Sequence, residues 1–243
     1  MNTRLQILFL FILFLIIYFI RHFIFNKKIE KHYIFNVNTN LENLKITFKY
    51  AIKMIKELKL PYMLAYGTAL GCIRNNNLIP YETDIDIAIF YNDILKKYNY
   101  NLTIDNISKD FNKIAKKNYF KPLSIKSTPY VYIKNNKYIP IMFQYRNTIS
   151  NITADFYIFF EKDNYYWDFC EGGERSGYGH RYPKLNYTYG NMMGKKFPVM
   201  PIEYMEIIYG KKWNVPQKKN EYLPMKKTLF QSNQELNDEW LIP

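Results

Sequence analysis

The sequence predicts an α+β domain with a mixed β-sheet and flanking helices, on three observations. Apolar residues between Leu41 and Leu60 recur at the spacing of one helix face. Asp84 to Phe90 alternates as a strand does. From Tyr119 onward, most segments read as short strands separated by turn residues.

Taken in order, the chain opens with an apolar run from Leu5 to Ile20, broken by Gln6 and Tyr18 and bracketed by Arg4 and Arg21. A spanning helix needs ~20 residues, with ~17 at the short end. No small-residue cleavage site follows, so an N-terminal transmembrane signal anchor over residues 1–25 fits better than a cleaved signal peptide. A polar stem is expected over 26–40, a folded body over 41–216 and a polar tail over 217–243. The short span suits the thinner membranes of the early secretory pathway. The expectation is therefore a single-pass type II protein of the endoplasmic reticulum or Golgi with a lumenal body. Orientation stays open. Arg21, Lys27, Lys28 and Lys31 after the span favour a cytoplasmic body, whereas sequons at Asn101, Asn106, Asn151 and Asn186 favour a lumenal one.

In the body, Leu41, Leu44, Phe48, Ala51, Ile52, Ile55 and Leu58 form the helix face, which Pro61 ends. Tyr62 to Tyr66 reads as a strand, Ala69 to Arg74 as a helix and Asn75 to Asn77 as a turn. After the Asp84 to Phe90 strand come helices near Asp93 to Tyr98 and Ile107 to Asn118. Strands are expected at Pro129 to Lys134, Ile139 to Tyr145, Ile152 to Phe160 and Tyr165 to Phe169. Asn135-Asn136 and Asp163-Asn164 are hairpin turns. A glycine-rich loop, Glu171 to Gly179, reads either as a lid or as a surface loop, with Arg181 and Lys184 after it. A last helix covers Pro201 to Tyr209.

Composition narrows the chemistry. The net charge of +13 favours anionic surfaces and phosphorylated substrates. It is spread as isolated lysine pairs, the pattern of a solvated surface, so no nucleic-acid partner is expected. Two cysteines, Cys72 and Cys170, rule out a disulfide framework and an all-cysteine zinc site, and leave one disulfide to be tested.

The candidate chemistry lies between Gly67 and Phe90. Residues i and i+2 of a strand share a face, so Asp84 and Asp86 present adjacent carboxylates while Ile85, Ile87 and Ile89 face the core. Such carboxylates repel unless a cation lies between them, and hard oxygen ligands suit Mg²⁺ or Mn²⁺. Asp155, inside an apolar strand, is the best third carboxylate, because a buried Asp needs a partner. Gly67-Thr68 at a helix start lets backbone amides approach a phosphate, and Arg74 can neutralise its charge. Each feature also has an ordinary reading: Asp-x-Asp on a solvated strand, Gly-Thr as a helix cap, Arg74 on the surface, Asp155 in a structural ion pair. Their joint occurrence favours the site.

The stretch Leu-Ala-Tyr-Gly-Thr-Ala-Leu-Gly-Cys-Ile-Arg (Leu64 to Arg74), followed by Leu-Ile-Pro-Tyr-Glu-Thr-Asp-Ile-Asp-Ile (Leu78 to Ile87), resembles the LicD family, which includes bacterial phosphocholine transferases, fukutin and fukutin-related protein. Asp155 resembles that family's later Asp. Phe197 to Pro201 and Tyr209-Gly210-Lys211-Lys212-Trp213 resemble its closing signature. The resemblance implies a nucleotidyltransferase-like fold. It also implies Mg²⁺-dependent transfer of a phospho-alcohol, of phosphocholine or ribitol-phosphate type, from a CDP-alcohol donor to a glycan or glycolipid hydroxyl. It places Gly67, Thr68, Arg74 and Glu82 on the nucleotide side and Asp84, Asp86 and Asp155 as metal-binding and catalytic residues. Tyr81-Glu82-Thr83 departs from the family's Trp-Asp-Asp, so Thr83 lacks a charge. Two other readings stay open: a nucleotidyltransferase acting on another acceptor, and a catalytically decayed scaffold in glycan modification. Tyr66, Tyr81 and Trp167 are aromatic candidates for a quaternary ammonium.

Overall fold

The structure, a computed structural model, describes residues 37–123, 130–134, 137–171, 178–216 and 228–229. The expected anchor, most of the stem, Asn135-Asn136, most of the glycine-rich loop and nearly all of the tail lie outside these residues. No helix among the described residues is long and apolar enough to cross a membrane.

Helix α1 covers 37–58 and so starts ahead of its apolar stripe, taking in the end of the expected stem. Leu44, Phe48, Ala51, Ile52, Ile55 and Leu58 are all buried, as the spacing predicts. At ~1.5–3 kcal/mol for each large apolar side chain buried, this stripe outweighs the helix's intrinsic propensity. Lys59 closes the helix in the left-handed region (φ 56°), two residues before Pro61.

Strand β1 (Tyr62–Leu64) leads into α2 (Tyr66–Asn75), which ends at Asn76 in the left-handed conformation. Then come β2 (Asp84–Phe90), α3 (Tyr91–Lys97) and α4 (Ile104–Lys117). A reciprocal Thr103/Asn106 capping box starts α4, and this ties up the Asn106 side chain. The second half is mostly strand: β3 (Phe120–Pro122), β4 (Tyr130–Lys134), β5 (Lys137–Asn147), β6 (Thr153–Lys162), β7 (Tyr165–Glu171), β8 (Tyr178–Pro183), β9 (Thr188–Met192) and β10 (Lys195–Val199). Helix α5 (Ile202–Tyr209) and β11 (Thr228–Leu229) complete the order. The β6–β7 turn at Asp163 and Asn164 has φ of 52° and 62°, as a two-residue hairpin requires.

Among the described residues, eleven strands form one mixed sheet in the order β11-β8-β7-β6-β2-β1-β10-β9, and β5 adds to β6 and carries β3 and β4. The centre is β1 antiparallel to β2, and β2 parallel to β6. One face carries Ile85, Ile87 and Ile89, all fully buried. Phe48 of α1 packs edge-on against Phe197 of β10 on that face, and Phe111 of α4 stacks on Phe143 of β5. The opposite face carries Asp84, Asp86 and Asp155. Short strands β3, β8, β9, β10 and β11 were not legible in the sequence, because they lack a run of alternation long enough to separate them from loop.

Candidate metal centre

The α+β fold brings the expected carboxylates together through one register. Strands β2 and β6 run parallel with Asp84 beside Thr153 and Asp86 beside Asp155. One carboxylate oxygen from each of Asp84, Asp86 and Asp155 lies within 4.8 Å of the others. Asp86 and Asp155 are buried, and Asp84 is half-buried.

Electrostatics make this cluster costly without a cation. Burial, then the charges of Asp84, Asp155 and Glu82, push the Asp86 carboxyl well above the usual range, opposed in part by the Thr68 backbone amide. Burial and then Asp84 push Asp155 up to about 7, with Gln144 opposing. Burial also raises Asp84. Gln144 donates from Nε2 to Oδ2 of Asp155 at 3.1 Å, whereas the buried Oδ1 of Asp155 has no hydrogen-bond partner. An orphaned buried oxygen beside two more carboxylates fits a hard divalent cation, so these residues could hold one.

The first turn of α2 adjoins the cluster because β1 stops at Leu64. Where a longer β1 would have paired with Asp86, the Ala65 amide donates to the Asp86 carbonyl at 3.1 Å, and the Asp86 amide donates to the Thr68 hydroxyl at 2.9 Å. Gly67-Thr68 thus lies inside α2, which has no side-chain cap at its start. A Cβ on Gly67 would sit 3.0 Å from the Glu82 carboxyl and 3.3 Å from Asp86 Oδ2, so a side chain there would press on both carboxyl groups. Gly71 has a different reason to be glycine: a Cβ there would lie 2.6 Å from the Asn77 carbonyl.

Other expected residues sit elsewhere. Arg74 is in the last turn of α2, about 10 Å along the axis from Gly67, and its Nε donates to Asn75 Oδ1 at 2.9 Å. The structure does not bring it to the carboxylates. Glu82 turns inward to Gly67, while Thr83, the departure from the family pattern, is exposed. Two of the three aromatic candidates are corrected. Trp167 pairs with Phe160 on the opposite sheet face, beneath the Arg181 guanidinium at 5.5 Å. Tyr66 is 6% exposed, with its hydroxyl bonded to Asp168. Lys184 pairs with Glu161. Cys72 is a free, buried thiol packed over Gly190, so the disulfide left open in the sequence is not formed. Gln144 and Asp168 escaped sequence reasoning: a lone Gln in a strand carries no signal until its neighbours are known, whereas Asp168, inside the apolar run Tyr165 to Phe169, carries the same signal as Asp155.

A family model described as LicD/FKTN/FKRP, nucleotidyltransferase domain, matches residues 59–184, just over half of the chain. Ribitol-5-phosphate transferase FKTN of Homo sapiens is 26% identical over 183 residues, covering 73% of this chain and 34% of that protein. The Mus musculus protein of the same name is 27% identical over 174 residues, covering 69% of this chain and 32% of its own. The chain therefore spans about a third of the length of these relatives. Among solved structures, the antibiotic-resistance factor ANT(2'')-Ia aligns with a TM-score of 0.40 at 12% identity, over 68% of each chain. The lincosamide antibiotic adenylyltransferase LnuA, lincomycin-bound, aligns with a TM-score of 0.36 at 14% identity, over 65% of this chain and 80% of its own.

Proposed function

Because the chain belongs to the LicD/FKTN/FKRP family, we propose that it is a metal-dependent phosphotransferase that moves a phospho-alcohol from a CDP-linked donor to a glycan or glycolipid hydroxyl. The observation that carries this reading is the buried cluster of Asp84, Asp86 and Asp155 with its orphaned oxygen. The names of the relatives support ribitol phosphate as the first alcohol to test.

Asp84, Asp86 and Asp155 would hold Mg²⁺ or Mn²⁺, which when bound neutralises and aligns the oxygens of a pyrophosphate. The uncapped first turn of α2 directs the positive end of a ten-residue helix toward the donor phosphates. Gly67 keeps that approach free of a side chain, and Glu82 borders it. Asp155, on the same sheet face as the other two carboxylates, would also accept the proton of the acceptor hydroxyl. The hydroxyl oxygen bonds to the distal phosphorus, the bond from that phosphorus to the bridging oxygen breaks, and CMP leaves with that oxygen. The acceptor belongs to the secretory pathway in this reading, with the chain held at the membrane through residues 1–25.

The test is CMP release by the full chain from CDP-ribitol, CDP-choline and CDP-glycerol in turn, with Mg²⁺ or Mn²⁺ and with EDTA. Metal-dependent release from one donor is expected, and Asp86→Asn is expected to abolish it with the circular dichroism spectrum unchanged. A folded protein that neither binds Mn²⁺ nor releases CMP from any donor would instead be the scaffold member of a glycan-modifying assembly.

A further inference from the structure

Asp168 has no part in the chemistry above, yet it is a fully buried carboxylate. It lies on β7, on the same face of the sheet as Asp86 and Asp155, because Glu161 of β6 pairs with Tyr166 and alternation carries that face to both ends. Its Oδ2 accepts hydrogen bonds from the phenol hydroxyl of Tyr66 and, at 3.1 Å, from that of Tyr182. A carboxylate withdrawn from water needs such donors.

Tyr66 is the residue before Gly67, and its backbone is in the left-handed region at φ 42°, which a bulky residue does not adopt by local preference. Its amide donates to the thioether of Met200 at 3.3 Å, a weak acceptor. Tertiary contacts therefore hold this turn: the phenol–carboxylate bond, and the edge contact of the Tyr66 ring with Tyr157, centroids 4.7 Å apart, two residues on from Asp155. The two residues that follow Tyr66 reach the metal centre: Gly67 lies where an added Cβ would meet the Glu82 and Asp86 carboxyl groups, and the Thr68 hydroxyl accepts from the Asp86 amide.

We propose that Asp168 is a positioning residue: with Tyr66 and Tyr182 it forms a buried lock that sets the first turn of α2 against Asp86, and so aims that turn at the donor phosphates. The aim toward the donor rests on the phosphotransferase reading; the lock itself does not. The test compares the full wild-type chain with Tyr66→Phe, which removes only the hydroxyl, and with Asp168→Asn. Amide exchange across residues 65–69 is expected to quicken about tenfold in both variants, the scale of one lost charge-assisted hydrogen bond. The KM for the CDP-linked donor is expected to rise about tenfold with kcat within about twofold, the signature of lost uniform binding. A merely structural role would lower the active fraction, so that kcat falls at constant KM. Unchanged exchange in Tyr66→Phe overturns the lock, and faster exchange with an unchanged donor KM overturns the positioning role. Should the wild type use no CDP-linked donor, the phosphotransferase reading fails, and the exchange experiment still decides the lock.

Discussion

Replacing Asp155 by Asn should stabilise the metal-free protein at pH 8 while abolishing its response to metal. Asp155 is raised from 3.8 to about 7 by burial and by Asp84. A carboxyl raised in this way binds its proton more tightly folded than unfolded. Its contribution is therefore full below about pH 4 and is lost as pH climbs through about 7. The full step corresponds to roughly 4 kcal/mol at 1.36 kcal/mol per pH decade, and relaxation around the site brings the working figure to ~2 kcal/mol. Asn keeps an acceptor for Gln144 Nε2 and turns an amide donor toward the other two carboxylates. For a chain of this size, ~2 kcal/mol moves Tm by roughly 4–8 °C. The assay is thermal unfolding of both proteins at pH 5 and pH 8, with EDTA and with Mn²⁺. The variant should melt higher at pH 8 in EDTA, match the wild type more closely at pH 5, and gain nothing from Mn²⁺. The wild type should gain ~2.7 kcal/mol at a metal concentration of ~100 Kd. A variant no more stable than wild type at pH 8, or equally advantaged at pH 5, would refute the electrostatic account of the cluster.

Other perturbations probe the supports of the site. Gly67→Ala puts a Cβ 3.0 Å from the Glu82 carboxyl, so Mn²⁺ affinity by calorimetry should fall, and Glu82→Ala in the same chain should restore part of it. Gly190→Ala forces a Cβ to 2.6 Å from the Cys72 sulfur and 3.1 Å from Val199, and should lower stability by ~1–3 kcal/mol in urea. Burial pushes the Cys72 thiol up to about 11, so alkylation of the native protein at pH 8 should proceed much more slowly at this residue than after unfolding.

Local chemistry made a large part of this protein legible. The α1 stripe, the Asp84–Phe90 strand and the Asp163-Asn164 turn each depend on neighbours a few residues apart. Strand alternation alone puts Asp84 and Asp86 on one face, and the apolar context of Asp155 alone marks it as needing a partner. Tertiary structure decided the rest. Asp155 reaches Asp86 only because β6 pairs in parallel with β2 in one register, and a slip of one residue would turn it to the other face. The inward turn of Glu82 past the exposed Thr83, the distance of Arg74 from the cluster, and the burial of Asp168 under Tyr66 and Tyr182 follow from how distant segments pack. Periodicity is a property of adjacent residues and survives in the sequence. Register and side-chain convergence are set by burying the whole sheet at once, and no local pattern encodes them.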